Sequence, residues 1–181
     1  MDIIDTFDWN NLRSADSSKQ LSKAIRVIAT SDCKREIETA YWNIDNECVV
    51  QGILYESALA VVCSLLEILS KCKKMARPYV LELIVQLISG TPARVEIESG
   101  NIELLKNIRL EVLKSVPVFL ALLEKDSSEE EKALCIDILG VCALEDSSLK
   151  IIVKERLNLL NGDFENEGVN TLIENWLLEL E

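Results

Sequence analysis

The chain has 181 residues, of which 49% are hydrophobic and 28% are charged, and this composition excludes a disordered or fibrous protein. It contains no histidine, which excludes His-dependent nucleophilic triads, HExxH zinc sites and histidine pH switches. Its 19 basic and 31 acidic residues give a net charge of −12, so we expect repulsion from phosphate backbones and no direct binding of nucleic acid.

In the N-terminal half, apolar residues recur with the spacing of amphipathic helices. The predicted helices cover, in chain order, residues 17–29, 32–44, 54–72 and 78–89. Asp32 is placed to cap the second of these helices, and Pro78 suits the first turn of the fourth. Gly90 is a plausible stop signal, and residues 90–101 form the clearest predicted loop.

The C-terminal half continues the helical pattern. A helix beginning at Ile102 should break or kink at Pro117, and Ser128 with Glu131 predicts a capping box at the start of the next. Two more helices are predicted, one ending at Leu160 and one over residues 169–180 that buries Leu172, Ile173, Trp176 and Leu180. No segment shows a sustained period of two, so the sequence predicts an all-α fold of about eight or nine helices.

A helix–turn–helix pattern recurs along the chain. It is found at residues 25–40, 65–83 and 119–134, and its outer copies lie 94 residues apart, which is twice 47. That unit length is typical of HEAT and armadillo repeats. The pattern favours a single domain over residues 1–181, built as about four helical hairpins that stack with right-handed curvature; a globular helical bundle is the competing arrangement.

Several short motifs resemble a bacterial group of small HEAT-like repeat proteins. The matching segments are Asp8–Leu12, Ala40–Asn46, Val50–Gly52, Tyr55–Ala58 and Arg77–Leu83. Proteins of this kind occur as immunity proteins beside polymorphic or contact-dependent toxins. The resemblance therefore implies a HEAT-like fold and a cognate toxin as the binding partner.

Acidic residues are concentrated towards the C-terminus, where residues 121–181 carry 15 acidic and 5 basic side chains. Asp163, Glu165 and Glu167 lie in a predicted turn, outside any predicted helix, and are candidates for docking a basic protein. The run of Asp126 with residues 129–131 begins a predicted helix, so we favour stabilisation of the helix dipole there.

An unusual local segment combines two adjacent aromatic residues with polar ones. Tyr41 and Trp42 are followed by Asp45, Asn46 and Glu47, in a chain whose aromatic content is 5%. Trp42, Asp45, Asn46 and Glu47 could form a binding hot spot. In the alternative interpretation, Tyr41 packs in the core and residues 45–46 form a turn at the end of the helix.

The sequence shows no sign of catalytic or cofactor chemistry. It lacks phosphate-binding glycine motifs, nucleophile elbows and metal-ligand spacings, so we expect no enzyme activity, no cofactor and no bound metal. The six cysteines include no CxxC pair and are expected to be reduced thiols. No signal peptide and no segment long enough to span a membrane are predicted, so we expect a cytoplasmic protein without a membrane partner.

The resemblance implies an immunity protein, and the acidic charge favours a basic, nuclease-like toxin domain whose active surface it would occlude; we expect a monomeric, cytoplasmic protein. The alternative is a general HEAT-repeat adaptor or scaffold with another protein partner. An enzyme with a carboxylate site ranks third, because no element of such a site is recognised in the sequence.

Overall fold

The computed structural model describes residues 2–124 and 127–181. Asp126, which belongs to the predicted acidic run, lies outside these residues. Helix accounts for 72% of the structure, which confirms the predicted all-α class. The chain divides into two compact units, Met1–Val112 and Leu113–Glu181, and the single repeat domain stays a prediction.

The first unit is built mainly from helices α1 to α6. In chain order they are α1 Leu21–Thr30, α2 Lys34–Cys48, α3 Ser57–Leu69, α4 Arg77–Ser89, α5 Arg94–Glu98 and α6 Leu104–Leu113. Pro78 lies in the first turn of α4, and Gly90 follows its last residue, both as predicted. The predicted cap Asp32 is wrong: Cys33 precedes α2 and donates its N–H to Ser31 Oγ at 3.0 Å.

Three strands of two residues each form a small sheet in this unit: β1 Val49–Val50, β2 Ile53–Leu54 and β3 Thr91–Pro92. β1 pairs antiparallel with β2, and β2 pairs parallel with β3. Gln51 and Gly52 form the hairpin turn with positive φ angles of 51° and 78°. The predicted loop at residues 90–101 is therefore wrong in part, because it contains β3 and the five-residue helix α5. Strands this short carry no detectable alternation.

Helices of the first unit pack as successive pairs. α1 packs on α2 and α3 packs on α4, while α1 also contacts α3 and α2 contacts α4. The first helices of the two hairpins, α1 and α3, therefore contact each other, and so do the second helices, α2 and α4, as stacked hairpins require. The fully buried side chains between them are mostly aliphatic and include Ile25, Ile28, Ile37, Ile44, Leu65, Leu81 and Ile84.

The N-terminal segment is held to this unit by an ion pair between the partly exposed Arg13 and the buried Glu96. Arg13 donates from Nε and Nη2 to the two carboxylate oxygens of Glu96, at 3.0 and 2.7 Å, and Asn101 Nδ2 donates to the same carboxylate at 3.0 Å. Glu96 is fully buried. Burial alone would raise the pKa of its carboxyl, but the hydrogen bonds from Arg13 and Asn101 outweigh burial and lower it.

The second unit contains helices α7 to α10, namely α7 Val116–Glu124, α8 Glu129–Glu145, α9 Lys150–Leu160 and α10 Glu167–Glu179. Pro117 falls in the first turn of α7, so the predicted break is confirmed. The capping box is also confirmed: Glu131 N–H donates to Ser128 Oγ at 3.2 Å, and Ser128 N–H donates to Glu131 Oε2 at 2.8 Å. α8 packs against α7, α9 and α10.

Burial at the end of the chain differs from the prediction. Ile173 and Leu180 are buried, whereas Leu172 and Trp176 are half-buried. The Trp176 indole nevertheless lies against α8 and donates Nε1–H to Asp137 Oδ1 at 2.8 Å. A half-buried indole with a polar partner is expected of Trp, because its ring is apolar and its N–H needs an acceptor.

A candidate protein-binding face on α2 and α4

The segment from Tyr41 to Glu47 lies wholly inside α2, so the alternative interpretation of a turn at residues 45–46 is wrong, although Tyr41 does pack in the core as that interpretation held. The helix separates the two aromatic residues: Tyr41 is 4% exposed and Trp42 is 56% exposed. Their rings meet edge to face with centroids 5.0 Å apart, and Tyr41 meets Tyr79 of α4 at 5.8 Å. The buried tyrosine thus supports an indole that is largely in solvent.

Side chains from α4 extend the surface around Trp42. We call this surface the acid–aromatic face and define it by Glu38, Trp42, Asp45, Tyr79, Glu82 and Gln86. Helical spacing explains the set, because positions three, four and seven apart share one side of a helix and α2 packs on α4. The structure thereby joins two sequence-predicted residues, Trp42 and Asp45, to four that the sequence analysis did not select.

Hydrogen bonds hold the polar groups of this face in place. Tyr79 Oη donates to Glu38 Oε1 at 3.0 Å, and Gln86 Nε2 donates to Tyr41 Oη at 2.7 Å. Burial, followed by the negative charge of Glu82, raises the pKa of Tyr41 well above its ordinary value, so the phenol stays protonated.

Two of the three carboxylates on this face form no ion pair with any residue that the structure describes. Burial raises the pKa of the Asp45 carboxyl; a hydrogen bond from Gln86 opposes that rise, and the charge of Glu82 adds to it. Within residues 2–124 and 127–181, neither Asp45 nor Glu82 forms an ion pair, whereas Glu38 pairs with Lys34 at 3.7 Å. Two neighbouring carboxylates that repel each other therefore lie beside an exposed indole.

The other two predicted residues of this segment are used within the chain. Asn46 is exposed, but its Nδ2 donates to the Trp42 carbonyl at 2.8 Å. The half-buried Glu47 carboxylate accepts from the N–H groups of Asp16 and Ser17 at 3.1 and 2.7 Å. Glu47 thus anchors the N-terminal segment and is not part of the acid–aromatic face.

The predicted acidic residues Asp163, Glu165 and Glu167 belong to the second unit, and all three are exposed. The prediction that they lie outside a helix is wrong for Glu167, which is the first residue of α10 after the cap Asn166. Its carboxylate therefore complements the helix dipole. The Glu165 N–H donates to Glu129 Oε1 at 3.0 Å, so this turn contacts the start of α8.

The part of the chain that the structure describes contains no metal-binding cluster, no membrane-spanning helix and no disulfide. Across residues 2–124 and 127–181, no group of three or more His, Cys, Asp or Glu side chains could hold a metal ion. In the same ranges, no helix has the length and apolar character to cross a bilayer. All six cysteines lie in these ranges, and none of them forms a disulfide.

The chain matches no protein-family model, no curated protein and no solved structure in the comparisons made with known proteins.

The four residues of the face that the sequence analysis did not select do follow a helical spacing pattern that the sequence shows. Glu38 precedes Trp42 by four positions, and Tyr79, Glu82 and Gln86 are spaced by three and four, so each set follows one side of a helix. Each helix also has an apolar stripe, and this stripe is the stronger pattern of the two because it predicts the core. Joining the two polar sides needs the packing of α2 on α4, which neither stripe specifies.

Proposed function

We propose that this chain is a cytoplasmic binding protein that neutralises a basic partner, as an immunity protein neutralises its cognate toxin domain. The observation that carries the proposal is the acid–aromatic face, where Trp42 is 56% exposed and where, among the residues that the structure describes, Asp45 and Glu82 form no ion pair. Binding hot spots are enriched in tryptophan and tyrosine, and charge complementarity orients a partner of opposite sign.

The net charge of −12 supports a basic partner. A nuclease-like toxin domain holds phosphates with basic side chains, so an acidic protein can compete with its substrate. Occlusion of that surface would block the toxin without any chemistry by the immunity protein. The resemblance to small HEAT-like immunity proteins points in the same direction.

A groove elsewhere in the first unit suits a basic partner less well. It has a volume of about 570 Å³ and runs between α1 and α2 over Ala24, Val27 and Ala40. Its charged lining residues are Lys23, Arg35 and Glu36, so it carries a net positive charge that would repel a cationic surface. The acid–aromatic face is therefore the better candidate for the toxin.

The test is binding to, and protection against, a basic toxin domain encoded beside this chain. The wild-type protein should bind that domain and rescue growth of cells that express it. Trp42→Ala should weaken binding by about 2 kcal/mol or more, the threshold for a hot spot, without unfolding an exposed site. Glu82→Gln should weaken binding as well, because it removes an uncompensated charge.

Asp16→Asn is the matched control for charge, because Asp16 is exposed and lies outside the acid–aromatic face. It should bind and protect like the wild type. Binding and rescue that are indifferent to both Trp42→Ala and Glu82→Gln would remove this face from the mechanism. Tight binding to a basic protein that is not toxic would favour the adaptor function instead.

A further inference from the structure

The carboxylates of the acid–aromatic face are arranged for a large cation. Asp45 lies three residues after Trp42 on α2, so their Cβ atoms are about 5–6 Å apart. Glu82 comes from α4, between Tyr79 and Gln86. Those two residues hydrogen-bond Glu38 and Tyr41 of α2, so the packing of α4 on α2 brings Glu82 alongside α2, where its charge also acts on Asp45. The three groups therefore lie on the same side of the α2–α4 pair.

The geometry argues against a metal ion at this patch. Among the residues that the structure describes, no three carboxylates or thiols converge closely enough to hold one. A divalent cation needs several oxygen ligands within about 2.0–2.6 Å of a single point. A flat organic cation has no such requirement, because its charge is spread over several nitrogen atoms.

The exposed indole distinguishes between the two cationic side chains of proteins. A guanidinium stacks on an aromatic face and presents a planar fork of N–H donors to carboxylates. A lysine ammonium is a compact, strongly hydrated charge that gains less from a flat indole beside carboxylates. Tyr41 packs edge to face with the indole, and Gln86 is hydrogen-bonded to the Tyr41 hydroxyl, so the surface around the site is ordered before binding.

We propose that the acid–aromatic face receives an arginine side chain of the partner, with its guanidinium stacked on Trp42 and hydrogen-bonded to Asp45 and Glu82. This inference rests on the proposed function, because it names the group through which a basic partner binds. It predicts selectivity for arginine over lysine, which general attraction between opposite charges does not.

The experiment uses the full chain and two labelled short peptides that carry either arginine or lysine at the same positions. Fluorescence anisotropy should show that the arginine peptide binds about three- to fivefold more tightly, as a cation–π contact at an exposed site provides. Trp42→Leu keeps an apolar side chain but removes the π face, so it should abolish that preference. Asp45→Asn combined with Glu82→Gln should weaken both peptides.

Each outcome has a distinct meaning. Asp16→Asn should leave both affinities unchanged, and circular dichroism should show a helical fold for every variant. Equal affinity for the two peptides, a preference that survives Trp42→Leu, or failure of the wild type to bind the arginine peptide would each overturn the arginine site. None of these would touch the proposed function, which binding of the basic toxin domain tests separately.

Discussion

The indole of Trp176 on α10 fills the space that a side chain at Gly140 on α8 would occupy. A Cβ built on Gly140 would overlap the Cδ2, Cε3 and Cε2 atoms of the Trp176 ring. Because Gly140 has no side chain, the indole can pack directly against the backbone of α8. This packing also brings Trp176 Nε1 to Asp137, one turn earlier on the same helix.

Gly140→Ala should destabilise the protein by about 1–3 kcal/mol, the usual cost of overpacking a core. In an open helix interior the same change stabilises by up to about 1 kcal/mol, so the sign alone is informative. Trp176→Ala should cost about 3 kcal/mol, the lower end for aromatic truncation, because the ring is half-buried. Urea melts followed by circular dichroism measure both values.

The double variant Gly140→Ala with Trp176→Ala supplies the control. Once the ring is gone, the added methyl group has room and should cost little or become stabilising. If Gly140→Ala still destabilises the protein when the Trp176 ring is absent, the added methyl group clashes with another part of the structure around α8. A Trp176→Ala cost below about 1 kcal/mol would show that α10 is peripheral to the core.

The ion pair of Arg13 and Glu96 should make stability depend on pH in a defined acid window. The folded-state pKa of Glu96 is lowered, so its contribution is fully present above the unfolded value, about 4.3. As pH falls through the depressed folded pKa, the carboxylate is protonated and the contribution is lost. The difference in unfolding free energy between wild type and Glu96→Gln should therefore be constant above about pH 5 and shrink below it.

Arg13→Met tests the same pair from its other side. It leaves a fully buried carboxylate without its cation, but the Arg13 side chain is 38% exposed and screened by solvent, so the cost near neutral pH should be about 1–2 kcal/mol. The variant should regain part of that loss in acid, because Glu96 can then be neutralised by a proton. A difference from wild type that stays constant from neutral pH into acid would show that the pair does not control stability.

The acidic turn of the second unit should act on the rate of association with a basic toxin domain. Asp163→Lys with Glu165→Lys should slow association and flatten its salt dependence, because exposed charges steer the encounter more than they hold the complex. Glu167 is left unchanged, since it stabilises the start of α10. By contrast, Asp45→Lys should raise the dissociation rate.

Stopped-flow kinetics across a range of ionic strength separate these two effects. Association that is insensitive both to salt and to the changes at Asp163 and Glu165 would exclude steering by this turn. Glu47→Lys is unsuitable as a probe of the interface, because Glu47 holds the N–H groups of Asp16 and Ser17.

The cysteines should react with an alkylating agent in an order set by burial. Cys33 is exposed and should be modified first, whereas Cys48 is fully buried and should react on unfolding. Burial also raises the pKa of the Cys48 thiol well above its ordinary value, so little thiolate is present. Mass spectrometry of unreduced protein, alkylated over time with and without denaturant, gives this order. Early modification of Cys48, or any native disulfide, would contradict it.

Local rules in the sequence accounted for most of the helices. Pro78, Pro117 and the Ser128–Glu131 capping box act over a few neighbouring residues, and all three predictions are confirmed. Asp32 was a reasonable cap by residue type, but Ser31 accepts the N–H of Cys33 and Asp32 pairs with Lys73 at 3.0 Å. Competition between neighbouring candidates at one helix end depends on such partners.

The helical class follows from the sequence alone, because period-3.6 apolar stripes and end signals are properties of single segments. The sequence also marks Trp42 and Asp45 as unusual. That Asp45 lies inside a helix near Glu82, and that Glu47 faces the N-terminal segment instead, follows from the fold. These neighbours lie 30 or more positions apart in the chain, and the packing of α2 on α4 and over the N-terminal segment brings them together.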